Sequence, residues 1–457
     1  MDLANLNPAR VLVSRSHPGA DASGSPNSRD NRIAIWVARI LIFDFVVLLT
    51  LQYFTRGTGD WETVYLSAAK HLREHGDVLD LKNGYVYPPF GALFAAPFTY
   101  LPRSVGIAVW AALNALAAVV VLVGAWKLTG GRGLPGRAAS ENRTADYAAF
   151  WLGGMLVVGF MLDTAANWQS DTIIAAILVG GCLLLARGRS IAAGAMFGLA
   201  AAFKCTPLLF APYLLWKRRF LAAGVVVVAA IGLNLLPDVV YPPLDGKSRL
   251  IVWKERFLTP MAKTDRDPGE WASAVGFNHS LAGVNLRLLA YQRTGVAEMP
   301  VVPKAERPSA SDLKRLNLVC VAVLGLVALV AFWRRSGEIA PGPMFAAELG
   351  VVFALMLMLS PMSSKPHFTP LLLAQLVVVR AGFATRDRLL IGLAVLIGLG
   401  GLCTGKDLVG RTVYEAMMWN GLLFALTLGL FLGCCRARLT ASGNRQVAAR
   451  SAAGTAT

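Results

Sequence analysis

The sequence predicts an all-α integral membrane protein, a polytopic bundle of about 10–13 transmembrane helices, and three observations carry that expectation. Of 457 residues, 55% are hydrophobic and only 16% are charged, well below the quarter typical of soluble domains. Apolar runs of spanning or near-spanning length recur from residue 33 to residue 435. The Lys and Arg residues sit in alternate short connectors: Arg187 and Arg189, then Lys217–Arg219, Arg334–Arg335, and Arg380, Arg386 and Arg388. The intervening connectors, such as "NWQS" at 167–170, are nearly free of them. This positive-inside pattern places both termini in the cytoplasm for an even helix count.

The formal net charge of +17 is therefore topology rather than a nucleic-acid footprint, and no nucleic-acid partner is expected. The six cysteines show neither metal-ligand nor disulfide spacing. Neither a metal nor a cofactor is expected.

Taken in order, residues 1–32 are rich in Ser, Asn, Asp and Gly and read as a disordered cytoplasmic tail. The run 33–54, "IAIWVARILIFDFVVLLTLQYF", matches a hydrocarbon core of roughly 30 Å and reads as a retained signal anchor. Asp44 lies in its middle; an intramembrane acid is either functional or a hydrogen-bonded structural group. Arg39 is about 140° around the helix and is no obvious partner. Further runs fall near 104–126, 146–162, 171–186, 190–203, 206–216, 220–236, 313–333, 344–361, 366–380, 389–404 and 413–435. A single membrane domain over 33–436 follows, with a cytoplasmic tail over 437–457.

Two segments on the predicted outer side are long, about 55–103 and 237–312. Loops of that length with structure of their own are usually functional. In the first, Trp61, Val64, Tyr65, Ala68, Ala69 and Leu72 form an apolar stripe on a helix that Gly76 can end. Such a helix is expected to lie flat in the interface. The next segment, "YVYPPFGALFAAPFTYLP" at 85–102, is apolar but broken by four prolines, so it reads as re-entrant and lining an enclosed cavity.

Asp60 opens the amphipathic helix and has two readings. As an N-cap its carboxylate would accept backbone N–H bonds, contributing about 1 kcal/mol, although Ser, Thr or Asn would serve equally. As a general base it would take a proton from a substrate hydroxyl. Lys204 ends "GLAAAFK" on the outer side, either snorkelling or binding phosphate. In "NWQSDT" Ser170 or Asn167 suits a helix cap with Asp171 in the first turn, and acceptor-sugar contact is a second reading. Asn278 and His279 in "FNHSL" open another helix at the close of the second outer loop. Asp265 and Asp267 imitate a D-x-D metal motif, yet two acids one residue apart in a polar loop are usually solvated.

The stretches "GDWETVYLSAAKHL", "YVYPPFGALFAAPFTYLP", "WAALN" (110–114), "SIAAGAMFGLAAAFKCTPLLFAPYLLWKRR" (190–219), "NHSLAGVNLRLL" (278–289) and "SPMSSKPHF" (360–368) together resemble glycosyltransferase family 87. The resemblance covers nearly the whole chain in order. It implies a GT-C fold and transfer of a sugar, mannose best known, from a polyprenyl-phosphate donor to a glycan or glycolipid acceptor. It implies that Asp60 is the general base and that Lys204 and His367 contact the donor phosphate, with Asn278, His279, Tyr87 and Asp171 as substrate-binding residues. Family members tend to carry a Trp and paired histidines near residue 365, where this chain has Ser364-Lys365-Pro366-His367.

Nucleotide sugars stay in the cytosol, so an outward-facing enzyme needs a donor that can be flipped across a membrane. A polyprenyl-phosphate sugar is such a donor. One carboxylate base and one anionic leaving group suit a single inverting displacement. The expected location is the cell inner membrane, with the site on the extracytoplasmic side. A lipid-linked-glycan transporter or flippase is the alternative, but would need ionisable groups along several helices and matching broken-helix halves. A glycan polymerase using lipid-linked substrates is a further one.

Overall fold

The computed structural model describes residues 26–55, 57–79, 84–131, 143–262, 267–270, 275–293, 301–333 and 342–454. Within them seven helices are long and apolar enough to cross a membrane: Ile35–Thr55, Arg103–Leu128, Arg143–Ala166, Phe220–Val240, Ala310–Phe332, Lys365–Thr385 and Leu422–Ala441. Shorter apolar helices, including Asp171–Ala186, Ser190–Phe203, Pro343–Met358 and Arg388–Leu402, complete the bundle. The chain is an all-α polytopic membrane protein.

The helix Pro343–Met358 is the axis of the bundle. Its residues from Met344 to Met358 are all buried, as befits a helix apolar around its whole circumference. Its one charge, Glu348, receives bonds from Arg438 Nε (2.9 Å), Lys217 Nζ (3.0 Å) and the Tyr213 hydroxyl (3.0 Å). A carboxylate this deep persists only when so paired. Two of its partners come from segments predicted to lie on the cytoplasmic side. Elsewhere helices approach closely where side chains vanish. A Cβ on Gly194 would stand 2.5 Å from the Ala222 carbonyl oxygen, and one on Gly198 would stand 2.8 Å from that of Val226. These two glycines, one turn apart, let Ser190–Phe203 lie directly on Phe220–Val240.

The amphipathic stripe after Asp60 forms as its spacing predicts, but its first turn is a π-helix, Trp61–Leu66, followed by the α-helix Ser67–Arg73. Its apolar face does not lie in the lipid interface. Trp61 stacks on Trp110 (ring centroids 3.7 Å apart, planes within 8°) and meets Phe98 edge-on, so the stripe is buried against protein. The aromatic partners offered by 85–110 outcompete lipid because they pack at interior density. The helix ends at Arg73, and His75 (φ 58°) rather than Gly76 takes the left-handed position. The proline-broken segment yields two short pieces, Phe90–Ala95 and Ala96–Tyr100.

Three boundaries differ from expectation. The first helix begins at Pro26, inside the segment expected to be disordered; residues 1–25 lie outside the described residues. The run 413–435 is two helices, Arg411–Trp419 and Leu422–Gly454, because Asn420-Gly421 turns the chain, with Gly421 at φ 81°. The second of these helices passes through the expected tail boundary at residue 437. The second outer loop contains short helices and a two-stranded antiparallel hairpin, Tyr291–Arg293 with Val301–Pro303, in register Tyr291↔Pro303. Arg334 and Arg335 lie outside the described residues.

Candidate active site

Both long segments, 55–103 and 237–312, contribute to one cavity of about 720 Å³. Asp60, Tyr87, Asp171, Lys204 and His367 all line it. The second loop contributes Trp253 and Leu258, and the connector 359–364 closes one side. Below the charged groups the walls are apolar, with Ile174, Leu178, Leu209, Met356 and Leu357.

Asp60 does not cap its helix. Its backbone is already helical (φ −58°, ψ −29°), and its carboxylate makes no capping bond. A capping residue needs extended backbone to turn its side chain back on the helix. Gly59 stands in the flanking position instead, its carbonyl accepting from the Glu62 and Thr63 amides. A Cβ on Gly59 would stand 2.5 Å from Trp168 Cγ, so only glycine allows this approach. The loop 167–170 thereby grips the start of the helix. The Asp60 amide donates to the Asn167 carbonyl (2.9 Å), and Gln169 Nε2 donates to Asp60 Oδ2 (2.7 Å). Gln169 reaches it because Trp168 adopts φ 54° at the end of Arg143–Ala166, its indole buried against Tyr53. The remaining carboxylate oxygen is left to the cavity.

The same cavity holds an ionic cluster. Lys204 follows the last turn of Ser190–Phe203 with extended backbone (φ −146°), which swings its side chain inward. It does not snorkel. Its Nζ donates to Asp171 Oδ1 at 2.7 Å and stands 2.6 Å from His367 Nε2, with the Tyr87 ring 5.2 Å away. Burial pushes the Lys204 ammonium down from its ordinary range, while the Asp171 carboxylate pulls it back up. His367 is aimed by the short helix Lys365–Phe368, where the Ser364 amide donates to Nδ1 (3.1 Å). His367 Nε2 faces Lys204 Nζ at 2.6 Å and Asp171 Oδ1 at 3.6 Å. Two nitrogens thus converge on one oxyanion. Asp171 Oδ1 lies between Lys204 Nζ and His367 Nε2.

Tyr87 stacks on Tyr65 (centroids 5.0 Å, 18°), and the Tyr65 hydroxyl bonds Ser170 Oγ (3.1 Å). Burial raises the Tyr87 hydroxyl well above its ordinary value, so it is a neutral donor. Ser170 does not cap with its side chain, and Asp171 serves Lys204 rather than a helix terminus.

Asn278 and His279 do not line the cavity. Asn278 Nδ2 donates to the Gly269 and Pro361 carbonyls, and Oδ1 accepts from the Ser280 and Ser363 amides. The His279 amide donates to the Ser363 carbonyl, and burial pushes its imidazole down to about 3, leaving it neutral. The pair pins the connector 360–364 from behind; it holds the wall and does not touch the contents. Lys365 likewise turns away, toward Asp163 (3.6 Å) and the Tyr414 ring. Asp267 pairs with Arg307 (3.4 Å), and Asp265 lies outside the described residues. Among the described residues no group of three or more His, Cys, Asp or Glu side chains is placed to hold a metal.

Gln169, the partner of the Asp60 carboxylate, is a side chain the sequence reading passes over. Its loop stood out only as a possible cap, and a lone neutral amide has no pattern.

A carboxylate with one oxygen open to the cavity and a buried Lys204–Asp171–His367 cluster thus share one cavity within a membrane bundle. The chain belongs to glycosyltransferase family 87, whose model matches residues 85–361. It is also similar to proteins named alpha-(1->3)-arabinofuranosyltransferase in two Mycobacterium tuberculosis strains, CDC 1551 / Oshkosh and ATCC 25618 / H37Rv. Identity is 29% over 234 residues, covering 46% of this chain and 48% of the relatives. The chain spans about half the length of the curated relatives it matches. Asp60 and His367 fall outside the family-matched span, whereas Tyr87, Asp171, Lys204, Asn278 and His279 fall within it.

Proposed function

We propose that this chain transfers one sugar from a polyprenyl-phosphate donor to a glycan or glycolipid acceptor at the outer face of the cell inner membrane. The observation that carries the reading is the disposition of Asp60, released from capping and held by Gln169 in the same cavity as Lys204 and His367.

The donor phosphate takes the place Asp171 holds between Lys204 Nζ and His367 Nε2, and the apolar wall below accepts the first prenyl units. The Asp60 carboxylate takes the acceptor hydroxyl proton as that oxygen attacks the anomeric carbon. The bond from that carbon to the phosphate oxygen breaks, and the polyprenyl phosphate leaves with its charge held by Lys204. One displacement inverts the anomeric centre. Gln169 fixes one carboxylate oxygen so that the other faces the acceptor. Tyr87 donates from its neutral hydroxyl, and Asn278 and His279 support the wall.

The family resemblance favours mannose, while the names of the curated relatives favour arabinofuranose, which becomes the first donor to try. Purified protein in detergent, given radiolabelled polyprenyl-phospho-arabinofuranose or polyprenyl-phospho-mannose with a glycan acceptor, should consume one of them and release polyprenyl phosphate. Consumption of neither, with movement of an intact lipid-linked glycan across proteoliposomes, would establish the transporter reading instead. A cysteine replacing exposed Thr58 should react with an impermeant thiol reagent on intact cells and one replacing Arg189 should not; the reverse pattern would put the site in the cytoplasm.

A further inference from the structure

The first helix carries an acid where a lipid-facing helix cannot leave one bare. Asp44 is the tenth residue of the 21-residue span Ile35–Thr55, about 15 Å from either end and so near the membrane midplane. It is exposed, and among the described residues nothing donates to its carboxylate. The helix packs inward through Ala38, Leu49 and Tyr53, all buried, and Asp44 points the other way. Its side chain is too short to reach either interface. A carboxyl group left in hydrocarbon without a hydrogen-bond partner is strongly unfavourable.

The residues around it have a definite spacing. Val37, Ile40, Asp44, Val47, Leu51 and Phe54 repeat at intervals of three and four, and each is exposed. That is the a/d seam of a coiled coil, with one polar residue at an a position. Only 11% of this span is buried within the chain, against 28% to 72% for the other six. Exposed apolar stripes on those spans need nothing but lipid. This stripe alone has a midplane acid within it.

We infer that the first helix pairs in parallel with the same helix of a second copy of this chain, the two Asp44 carboxyls meeting on the two-fold axis and sharing a proton. A second copy is the occupant that fits. Copies insert with one topology, so their acids arrive at equal depth. A protonated carboxyl donates to an ionised one where two unpaired carboxylates would repel. Heptad spacing with a single polar a residue is the arrangement that sets the register of a two-stranded seam. Arg39, on a different side of the helix and lying over the Trp36 ring, takes no part.

The test is oxidative cross-linking of the full-length chain in native membranes, with the unaltered chain, which carries six free cysteines, as the blank. Val37→Cys and Leu51→Cys should give a disulfide-linked dimer above that blank. Phe43→Cys, more exposed but flanking the seam at about 70° from its centre, should give much less. In the Leu51→Cys background, Asp44→Asn should keep the dimer because an amide pairs with its own mate, and Asp44→Leu should lower it about fivefold. Leucine suits a lipid-facing site, so the variant still inserts. Equal cross-linking at Phe43 and Leu51, no dimer at either seam position, or an unchanged yield with Asp44→Leu would overturn the inference.

Discussion

Two acids border the same cavity, each at the start of a helix, and they are held in different ways. Asp60 is steadied by a neutral amide, Gln169, and keeps one oxygen for whatever enters. Asp171 is 5% exposed and is bound by a cation, Lys204, with a second nitrogen at 3.6 Å. A carboxylate tied to a buried ammonium cannot serve as a proton acceptor without leaving that ammonium unpaired. One tied to an amide can. In the proposed mechanism the two carboxylates therefore divide the work: chemistry at Asp60, anion binding at Lys204, with Asp171 keeping the lysine charged and in place until donor arrives.

The largest effect expected of that division is at the base. Asp60→Asn should lower turnover by a hundredfold to ten-thousandfold, the range for a lost general base, with thermal unfolding unchanged. Near-normal turnover would leave the carboxylate without a chemical role. The next is at the cation, where Lys204→Met should reduce kcat/KM for the donor by roughly ten- to a hundredfold, the worth of one hydrogen bond to a charged group. Lys204→Arg should recover part of this, since it keeps the charge but not the compact ammonium. Steady-state kinetics with varied donor read both.

Gln169 gives a finer cut. Gln169→Leu should lower kcat about tenfold or less while donor KM stays put, because the amide touches the base and not the phosphate site. A raised donor KM with unaltered kcat would merge the two roles. The smallest effect lies in the wall. The His279 imidazole is held down to about 3 from an ordinary 6.5, so between those values the unfolded chain binds the extra proton. Native stability should fall as pH drops from about 6.5 toward 3. His279→Gln should flatten this loss and leave turnover at neutral pH nearly unchanged, as thermal melts in detergent across that range would show.

The spans were legible because their ends carry chemistry. Residues 171–186 and 190–203 match the helices Asp171–Ala186 and Ser190–Phe203, each bounded by a polar connector. The break in 413–435 was also legible, since Asn-Gly is a turn pair, but the apolar run around it hid the signal. The fate of the amphipathic helix was not. A stripe reads the same whether it faces lipid or protein, and Trp110, which claims it, lies far along the chain. In the site, Asp60, Lys204 and Asp171 stood out as charges next to apolar runs. Asn278 and His279 stood out for the same reason that misled, because polar residues at a helix start can serve a neighbouring segment as well as a ligand. The contact of Gln169 with Asp60 joins residues 109 apart, and no local pattern encodes it.

The division between the two roles is tested most directly by equilibrium donor binding to Asp60→Asn and Lys204→Met side by side, using the polyprenyl-phosphate sugar that the wild-type protein consumes. The account predicts that Asp60→Asn binds donor as tightly as wild type but transfers at least a hundredfold more slowly, while Lys204→Met binds it ten- to a hundredfold more weakly. Weakened binding in Asp60→Asn with normal binding in Lys204→Met would contradict it.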